Sequence, residues 1–522
     1  MPTRTAAFAA FCLAAILAHA APGPMGFDDA RHLLARTGFG PTDAEVRDYA
    51  GLTREQAVTR LLRDARTAPV TPAPAWVAET VPLRYPAADT ATFEERRAFR
   101  QQQTRLGIEL RAWWMQEMLV TPSPLTERMT LFWHNHFVSS QQKVRFAHLM
   151  YAQNATLRAH ALGSFAALLH AASKEPAMLV YLDVAQSRKG QPNENFAREV
   201  MELFTLGEGQ YTEQDIKEAA RSFTGWSLDR GTGSYLFRPV LHDRGIKTVF
   251  GHSGHFDGDA VLDLILARPQ TSAFVVGKLW REFVAADPDR REVERIAQIF
   301  RGQDYDVKAA LQALFLSDAF WAADNRGTLV KSPVELVVGT LRQLEVVPGT
   351  AMAFAVVSAG MGQNLFSPPN VKGWPGGEAW INSNTLLVRK QFLDRLARMG
   401  DAPPAMLPAA ADASPPWALE GDATSMARRS PSSGLPPLDA ADDDRLRAQR
   451  FAAAVDRGLR NLRFDAVQWV ARRPGATPAA KHRSAQALLL PLPPLAPDAA
   501  EGDSDALAFV HATLLDPAYQ LK

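Results

Sequence analysis

The chain of 522 residues has one cysteine and almost no net charge. Cys12 lies in an N-terminal apolar run, so removal of that run leaves no thiol for a disulfide, a nucleophile or a metal ligand. The 57 basic and 56 acidic side chains give a net charge of +1. Since nucleic-acid binding needs a concentrated basic surface, we expect no nucleic-acid partner.

Two catalytic signatures are also missing. The sequence contains no Gly-x-Ser-x-Gly and no His-Glu-x-x-His, which argues against common serine hydrolases and zinc proteases. No segment after the N-terminal run is long and apolar enough to cross a bilayer. We therefore expect no transmembrane segment in the mature chain.

The N-terminus has the pattern of a secretory signal. Arg4 precedes an apolar run from Ala6 to Ala18, and Ala18-His19-Ala20 supplies small residues around a cleavage point. We interpret residues 1–20 as a signal peptide, because the run is too short for a membrane anchor. The sequence thus predicts an exported protein, periplasmic or secreted.

Apolar residues recur at helical spacing through most of the chain, so we predict a mainly α fold. We expect one large helical domain over residues 27–401, a low-complexity insertion over residues 402–444, and C-terminal helices over residues 445–522 that complete the same domain. Long irregular loops join the helices. Strand signals are few, and SYLFRPV and KTVFG are predicted to form one short β-hairpin.

A polar helix face is the strongest candidate for chemistry. In the segment from Asn193 to Trp226, helical geometry places Asn195, Arg198, Glu199 and Glu202 on one side. Two neighbouring carboxylates repel unless a cation intervenes or one of them keeps its proton. A protonated carboxyl group is what general acid catalysis on a glycosidic bond requires. The alternative is a buried salt-bridge network.

His134 and His136 form a second candidate. Residues two apart on a helix point about 200° away from each other, so both histidines face one metal ion only if the helix ends or kinks there. One is expected to be a hydrogen-bonded core residue, and the other, His134, to reach a cleft. The loop holding His242 and Asp243 is a weaker ligand candidate, and Thr212 with Asp215 predicts a helix N-terminus.

A loop rich in proline, glycine and tryptophan spans residues 367–384. Flat aromatic rings beside amide and ammonium donors suit sugar rings, which have an apolar face and a rim of hydroxyls. The alternative is a loop fixed by tryptophans that fill the core. The candidate substrate-binding residues, with Asn195, are Trp374, Trp380, Asn370, Lys372 and Asn382.

Several long motifs follow one another along the chain, among them HLLARTGFGPT, LTERMTLFWHNHFVSS and NLFSPPNVKGWPGGEAWINSN. Together they resemble the bacterial family catalogued as domain of unknown function 1800. The resemblance runs from about residue 27 to residue 522, with the low-complexity stretch as a variable insertion. It implies exported, largely helical proteins with no agreed biochemical activity.

Three hypotheses remain open at this point. The first is a hydrolase of envelope or extracellular polysaccharide, with Glu199 or Glu202 as the acid and with Arg198 and His134 in the same site. The second is a divalent-metal-dependent hydrolase or metal-binding protein. The third is a non-enzymatic envelope protein that binds an exported partner. The sequence indicates no particular cofactor and no defined set of metal ligands. We expect the polar helix, the His134 helix and the Trp374 loop to converge on one cleft, and the functional interpretation of the carboxylates depends on that convergence.

Overall fold

The computed structural model describes residues 23–79, 86, 91–229, 231–398, 462–495 and 505–522. The predicted signal peptide and the predicted insertion over residues 402–444 lie outside these residues. The described part is mainly helical, which confirms the predicted fold class.

The α-helices of the described part follow one another in this order: α1 Gly26–Thr37, α2 Asp43–Ala50, α3 Arg54–Asp64, α4 Phe93–Val120, α5 Pro124–His136, α6 Gln141–Val144, α7 Ala147–Ala159, α8 Phe165–Ser173, α9 Pro176–Tyr181, α10 Glu194–Glu199, α11 Glu213–Ser222, α12 Gly258–Ala267, α13 Pro269–Phe283, α14 Arg290–Gly302, α15 Val307–Phe315, α16 Asp318–Trp321, α17 Pro333–Gln343, α18 Met352–Gly360, α19 Ser383–Ala397, α20 Ala466–Ala471, α21 Pro478–Leu489 and α22 Ala506–Leu515. A π-helical segment, Val200–Thr205, continues α10. Short 3₁₀ turns cover Ala75–Ala78, Val184–Gln186, Ala323–Asn325, Gly377–Trp380 and Pro517–Gln520.

Local capping signals place several helix starts. The Thr53 side chain accepts a hydrogen bond at the start of α3, and Pro124 occupies the first turn of α5. Thr212 and Asp215 form a reciprocal capping box at α11, as predicted. Asp257 caps α12, and its side chain accepts a hydrogen bond from the Ala260 N–H. Each such cap satisfies backbone N–H groups that the helix leaves unpaired and stabilises it by about 1 kcal/mol.

The strands pair differently from the prediction. Strand β1 (Trp226–Leu228) pairs antiparallel with β2 (Tyr235–Phe237), and β3 (Lys247–Val249) pairs with β4 (His252–Gly254). The segments predicted to pair with each other thus belong to two separate hairpins. Strands of three residues have too little alternation to fix a partner, so each pairs with a neighbour that a short loop brings close.

Two apolar clusters form the core, and α5 lies at their border. One cluster contains Trp114 of α4, Trp374, and residues of α17, α19 and α20–α22. The other contains Phe204 of the π-helical segment and residues of α8 and α12–α15. Leu131 of α5 belongs to the first cluster, whereas Trp133 belongs to the second. The end of α5 therefore faces both halves of the core.

None of the helices in the described ranges is, by itself, both long and apolar enough to cross a bilayer. The pair α12 and α13, bent by 76°, meets the criteria of length and composition only when its two helices are taken together.

Candidate functional site

Three segments that the sequence analysis singled out meet in the structure. Asn135, at the end of α5, forms two hydrogen bonds with the backbone of Trp374. His136 lies 2.9 Å from the carbonyl oxygen of Phe204 in the π-helical segment. Lys372 lies 3.8 Å from Glu208, just beyond that segment. The polar helix, α5 and the Trp374 loop are therefore joined by direct contacts, and the predicted cleft between them stays a prediction.

The polar helix changes its winding in the middle. The predicted α-helix ends at Glu199 and continues as a π-helix, in which the N–H of Leu206 donates to the Met201 carbonyl at 2.7 Å. The Thr205 hydroxyl donates to the Val200 carbonyl at 2.6 Å and supports the wider turn. Gly207, at φ +82°, then ends the helix. Such π-helical turns occur frequently at functional sites.

A lysine and a histidine bind the carbonyl groups of this turn. Lys278 of α13 donates to the Leu203 carbonyl at 3.0 Å and lies 3.1 Å from Nδ1 of His136. Because the ammonium group can only donate, Nδ1 accepts and Nε2 carries the proton donated to Phe204. Burial lowers the pKa of Lys278 to about 8. These two side chains position the turn that carries Glu202.

Glu199 is a half-buried carboxyl group with a displaced pKa. Burial raises its pKa, and the nearby charge of Glu202 raises it further, while Lys372 and Arg198 act in the opposite direction. Among the described residues, no salt bridge or hydrogen bond to the Glu199 carboxyl is formed. The group is thus biased toward its protonated form while remaining accessible, as general acid catalysis requires.

Glu202 is held in place by a tyrosine. The Tyr211 hydroxyl donates a hydrogen bond of 2.6 Å to Glu202. Tyr181 of α9 lies near Glu199, and its pKa is raised by burial and by the charge of Glu199. Both tyrosines are partly exposed. Each carboxyl group of the pair therefore has a tyrosine nearby.

The remaining polar residues of the helix face solvent. The Arg198 guanidinium forms two hydrogen bonds, of 2.8 and 2.7 Å, with the Glu213 carboxylate. Asn195 is exposed. Arg221 of α11 binds Glu218 and Asp243, not the carboxylate pair. The buried salt-bridge network proposed as the alternative is therefore not formed around Glu199 and Glu202 within the described ranges.

His134 does not reach a cleft. Its side chain has no solvent exposure and lies among the rings of Trp114, Phe366 and Trp374, with centroid distances of 5.3, 5.2 and 5.7 Å. Neither ring nitrogen has a hydrogen-bond partner in the described part of the chain. Burial lowers its pKa to about 3, so the ring is neutral. The helical spacing correctly predicts that the two histidines point in different directions. The histidine that contacts the polar helix is His136.

Trp374 and Trp380 lie in the core. Trp374 is 4% exposed and Trp380 7% exposed, and both belong to the apolar cluster around α4 and α17. Neither tryptophan offers a free ring face to a dissolved sugar. Their placement favours the interpretation in which they fix the loop.

The polar residues of the loop have different roles. Asn370 accepts the Lys372 backbone N–H at 2.9 Å and shapes a turn. Asn382 caps α19, with its side chain accepting from the backbone N–H groups of Asn384 and Thr385. Lys372 is exposed, and its charge lowers the pKa of Glu199. Of the predicted substrate-binding residues in this loop, only Lys372 acts on the carboxylate pair.

The candidate metal ligands either bind other residues or do not form a group around one point. Asp243 is bound by Arg221 at 2.9 Å, and His242 contacts the Thr224 carbonyl at 2.9 Å. His252 and His255 are exposed. Within the described residues, no group of three or more His, Cys, Asp or Glu side chains is arranged to hold a metal ion.

Three residues of the site were not among the sequence candidates. Asn135 lies between the two candidate histidines, and Tyr211 follows the polar helix. Lys278 interrupts the otherwise apolar run FVVGKLW of α13. A lysine in such a run is a usable signal, because a buried ammonium group requires specific partners.

Comparison with known proteins gives one match. A family model described as "Protein of unknown function (DUF1800)" matches residues 32–521. No curated protein and no solved structure matches the chain.

Proposed function

Since the chain belongs to the DUF1800 family, whose description assigns no activity, we propose a function from the site itself: an exported hydrolase of glycosidic bonds in envelope or extracellular polysaccharide. The observation that carries this proposal is the environment of Glu199. Its carboxyl group is half buried, its pKa is raised by burial and by Glu202, and among the described residues it has no salt bridge. These are the properties of a general acid.

The two carboxyl groups have separate tasks in the proposed reaction. Glu199 donates its proton to the glycosidic oxygen while the bond from that oxygen to the anomeric carbon breaks. Glu202 accepts a proton from the water molecule whose oxygen adds to the same carbon. The Tyr211 hydroxyl keeps the Glu202 carboxylate oriented through its 2.6 Å hydrogen bond.

The surroundings of the pair support a sugar ligand. Tyr181, near Glu199, and Tyr211, bonded to Glu202, are partly exposed and can pack against the apolar face of a sugar ring. Lys372 and Asn195, both exposed, supply donors for hydroxyl groups. In this proposal the sugar ring packs against Tyr181 and Tyr211, because Trp374 and Trp380 are buried in the core.

The test is a polysaccharide digestion screen that measures released reducing ends. We expect wild type to cut at least one polysaccharide, and Glu199→Gln and Glu202→Gln to lose about 10²–10⁴-fold in rate. The matched control is Glu194→Gln, an exposed carboxyl group on the same helix, which should keep wild-type activity. Absence of any cleavage or binding by wild type, or full activity in both variants, would overturn the proposal.

A further inference from the structure

The stretch that includes strand β2 and the loop after it exposes a group of apolar side chains. The large apolar side chains that are exposed there are Leu236, Phe237, Val240 and Ile246. Val240, at 88%, is the most exposed large apolar side chain among the described residues, and Ile246 is 63% exposed. Single exposed apolar residues are common, whereas a group of them within one segment indicates a contact surface.

Backbone hydrogen bonds hold a second segment beside this stretch. The Leu241 N–H donates to the Arg238 carbonyl at 3.0 Å and closes a turn that carries Val240. The Lys189 N–H donates to the Leu241 carbonyl at 2.8 Å, so the segment that contains Lys189 lies against the same turn. The two segments, residues 188–189 and 236–246, are together called the loop surface.

The loop surface carries four exposed basic side chains, and none of them forms a salt bridge with another described residue. They are Arg188, Lys189, Arg238 and Arg244. Two of them have a neutral partner: Arg188 donates to the Gln191 side chain at 2.6 Å, and Arg238 donates to the Ser227 hydroxyl at 3.2 Å. Their positive charge is therefore not compensated by a carboxylate of the described chain.

The negative charge of the loop surface is neutralised from within the fold. Asp243 is its only acidic residue, and Arg221 of α11 binds it at 2.9 Å. The same guanidinium donates to the Ile246 carbonyl at 3.1 Å and so holds the part of the chain that exposes Ile246. The loop surface is thus locally basic, although the whole chain has a net charge of only +1.

Exposed aliphatic side chains beside uncompensated cations fit the headgroup region of an anionic lipid bilayer. There the cations meet the lipid phosphate groups, and the aliphatic side chains enter the boundary between headgroups and acyl chains. A polyanion in solution would use the cations and leave Val240 and Ile246 in water. We propose that the loop surface docks the protein peripherally on an anionic lipid membrane.

The test is sedimentation of the full chain with lipid vesicles. One set of vesicles contains phosphatidylglycerol and phosphatidylcholine in equal amounts, and the other contains phosphatidylcholine alone. We expect the protein to bind the anionic vesicles and to bind the neutral ones at least tenfold more weakly. The affinity for anionic vesicles should fall as sodium chloride is added, because salt screens the attraction between charges.

Two double variants locate the binding surface. Lys189→Gln with Arg244→Gln should weaken binding about 25-fold, because each cation near an anionic surface contributes about fivefold. Val240→Asp with Ile246→Asp should weaken it at least tenfold. The matched controls are Lys390→Gln with Arg291→Gln and Val347→Asp with Leu387→Asp, which make the same charge changes at exposed positions elsewhere. Both controls should bind as wild type does.

Hydrogen exchange of wild type supplies an independent measurement that needs no substitution. We expect amide exchange in the loop surface to slow when anionic vesicles are added, and exchange in α14 to stay unchanged. No binding to anionic vesicles, equal binding to both kinds of vesicle, or either double variant binding as tightly as its control would each overturn the proposal.

Discussion

The side-chain amide of Asn135 forms hydrogen bonds with both backbone polar groups of Trp374, its N–H and its carbonyl oxygen. Its Oδ1 accepts the Trp374 N–H at 2.7 Å, and its Nδ2 donates to the Trp374 carbonyl at 3.3 Å. The two residues are 239 positions apart in the sequence. This contact attaches the loop over residues 367–382 to the end of α5, and it brings Lys372 toward Glu199.

Replacing Asn135 with alanine should detach this loop. Both polar groups of the Trp374 backbone lose their partner, and leaving such groups unpaired costs about 1–3 kcal/mol. We expect a loss of that size in the free energy of unfolding, measured by chemical denaturation. Asn384→Ala, at an exposed position of α19, serves as the control, and an equal effect of the two variants would contradict the assigned role of Asn135.

Gly373 allows the close approach of the loop to α5. A Cβ at this position would lie 2.2 Å from Oδ1 of Asn135 and 2.7 Å from the Asn135 carbonyl oxygen. Gly376 has a similar φ, +74° against +83°, but a Cβ there would meet no atom within 4 Å. Gly376→Ala should therefore cost only the conformational strain of its backbone, about 1–3 kcal/mol, because φ +74° with ψ −175° is essentially confined to glycine.

Gly373→Ala should cost clearly more than Gly376→Ala, because a clash with Asn135 adds to the strain of a positive φ. Thermal or chemical unfolding of the two variants gives the difference. Indistinguishable stabilities would mean that the loop does not pack against Asn135.

Lys278 should control the titration of His136. The pKa of His136 lies well below its ordinary value, first because of burial and second because of the Lys278 charge. Lys278→Met removes that charge and the donor to Nδ1, so the pKa of His136 should rise. Nitrogen NMR of the imidazole measures it, with Lys217→Met, at an exposed position of α11, as the control. An unchanged His136 titration in Lys278→Met would refute this coupling.

His134 should make the protein sensitive to mild acid. Its pKa is about 3 in the folded state, whereas an unfolded histidine has a pKa of about 6.5. The unfolded state therefore takes up a proton as the pH falls below 6.5, and the contribution of neutral His134 to stability is lost between pH 6.5 and pH 3. From pH 7 to pH 5 the loss amounts to about 2 kcal/mol.

His134→Leu removes this proton uptake, and no hydrogen bond of the described residues is lost with the ring. The variant should lose about 2 kcal/mol less than wild type between pH 7 and pH 5, as measured by denaturant unfolding at both values. Equal losses in the two proteins would show that His134 does not stay neutral when folded.

Local features were predictable from the sequence. The capping box of Thr212 and Asp215 and the cap at Thr53 depend on residues within one helical turn, so the pattern specifies them. The mainly helical fold follows from apolar spacing alone. The strand pairing was wrong because three-residue strands carry no register information.

The details of the site depend on contacts that the local pattern does not contain. Asn135 and Trp374 find each other across 239 residues, and His136 and Lys278 across 142. The sequence places His134 and His136 on opposite sides of a helix, but it does not specify which side meets Lys278. The sequence also does not specify whether Trp374 and Trp380 cover the core or bind a ligand, since a tryptophan in a loop can do either.

The proposed site depends on electrostatic coupling: the charges of Glu202 and Lys372 shift the pKa of Glu199 in opposite directions. The most direct test is a ¹³C NMR titration of the Glu199 carboxyl group in wild type, Glu202→Gln and Lys372→Met. Glu202 raises the pKa of Glu199 and Lys372 lowers it. The account therefore predicts a lower Glu199 pKa in Glu202→Gln and a higher one in Lys372→Met. A Glu199 pKa that is the same in all three proteins would contradict it.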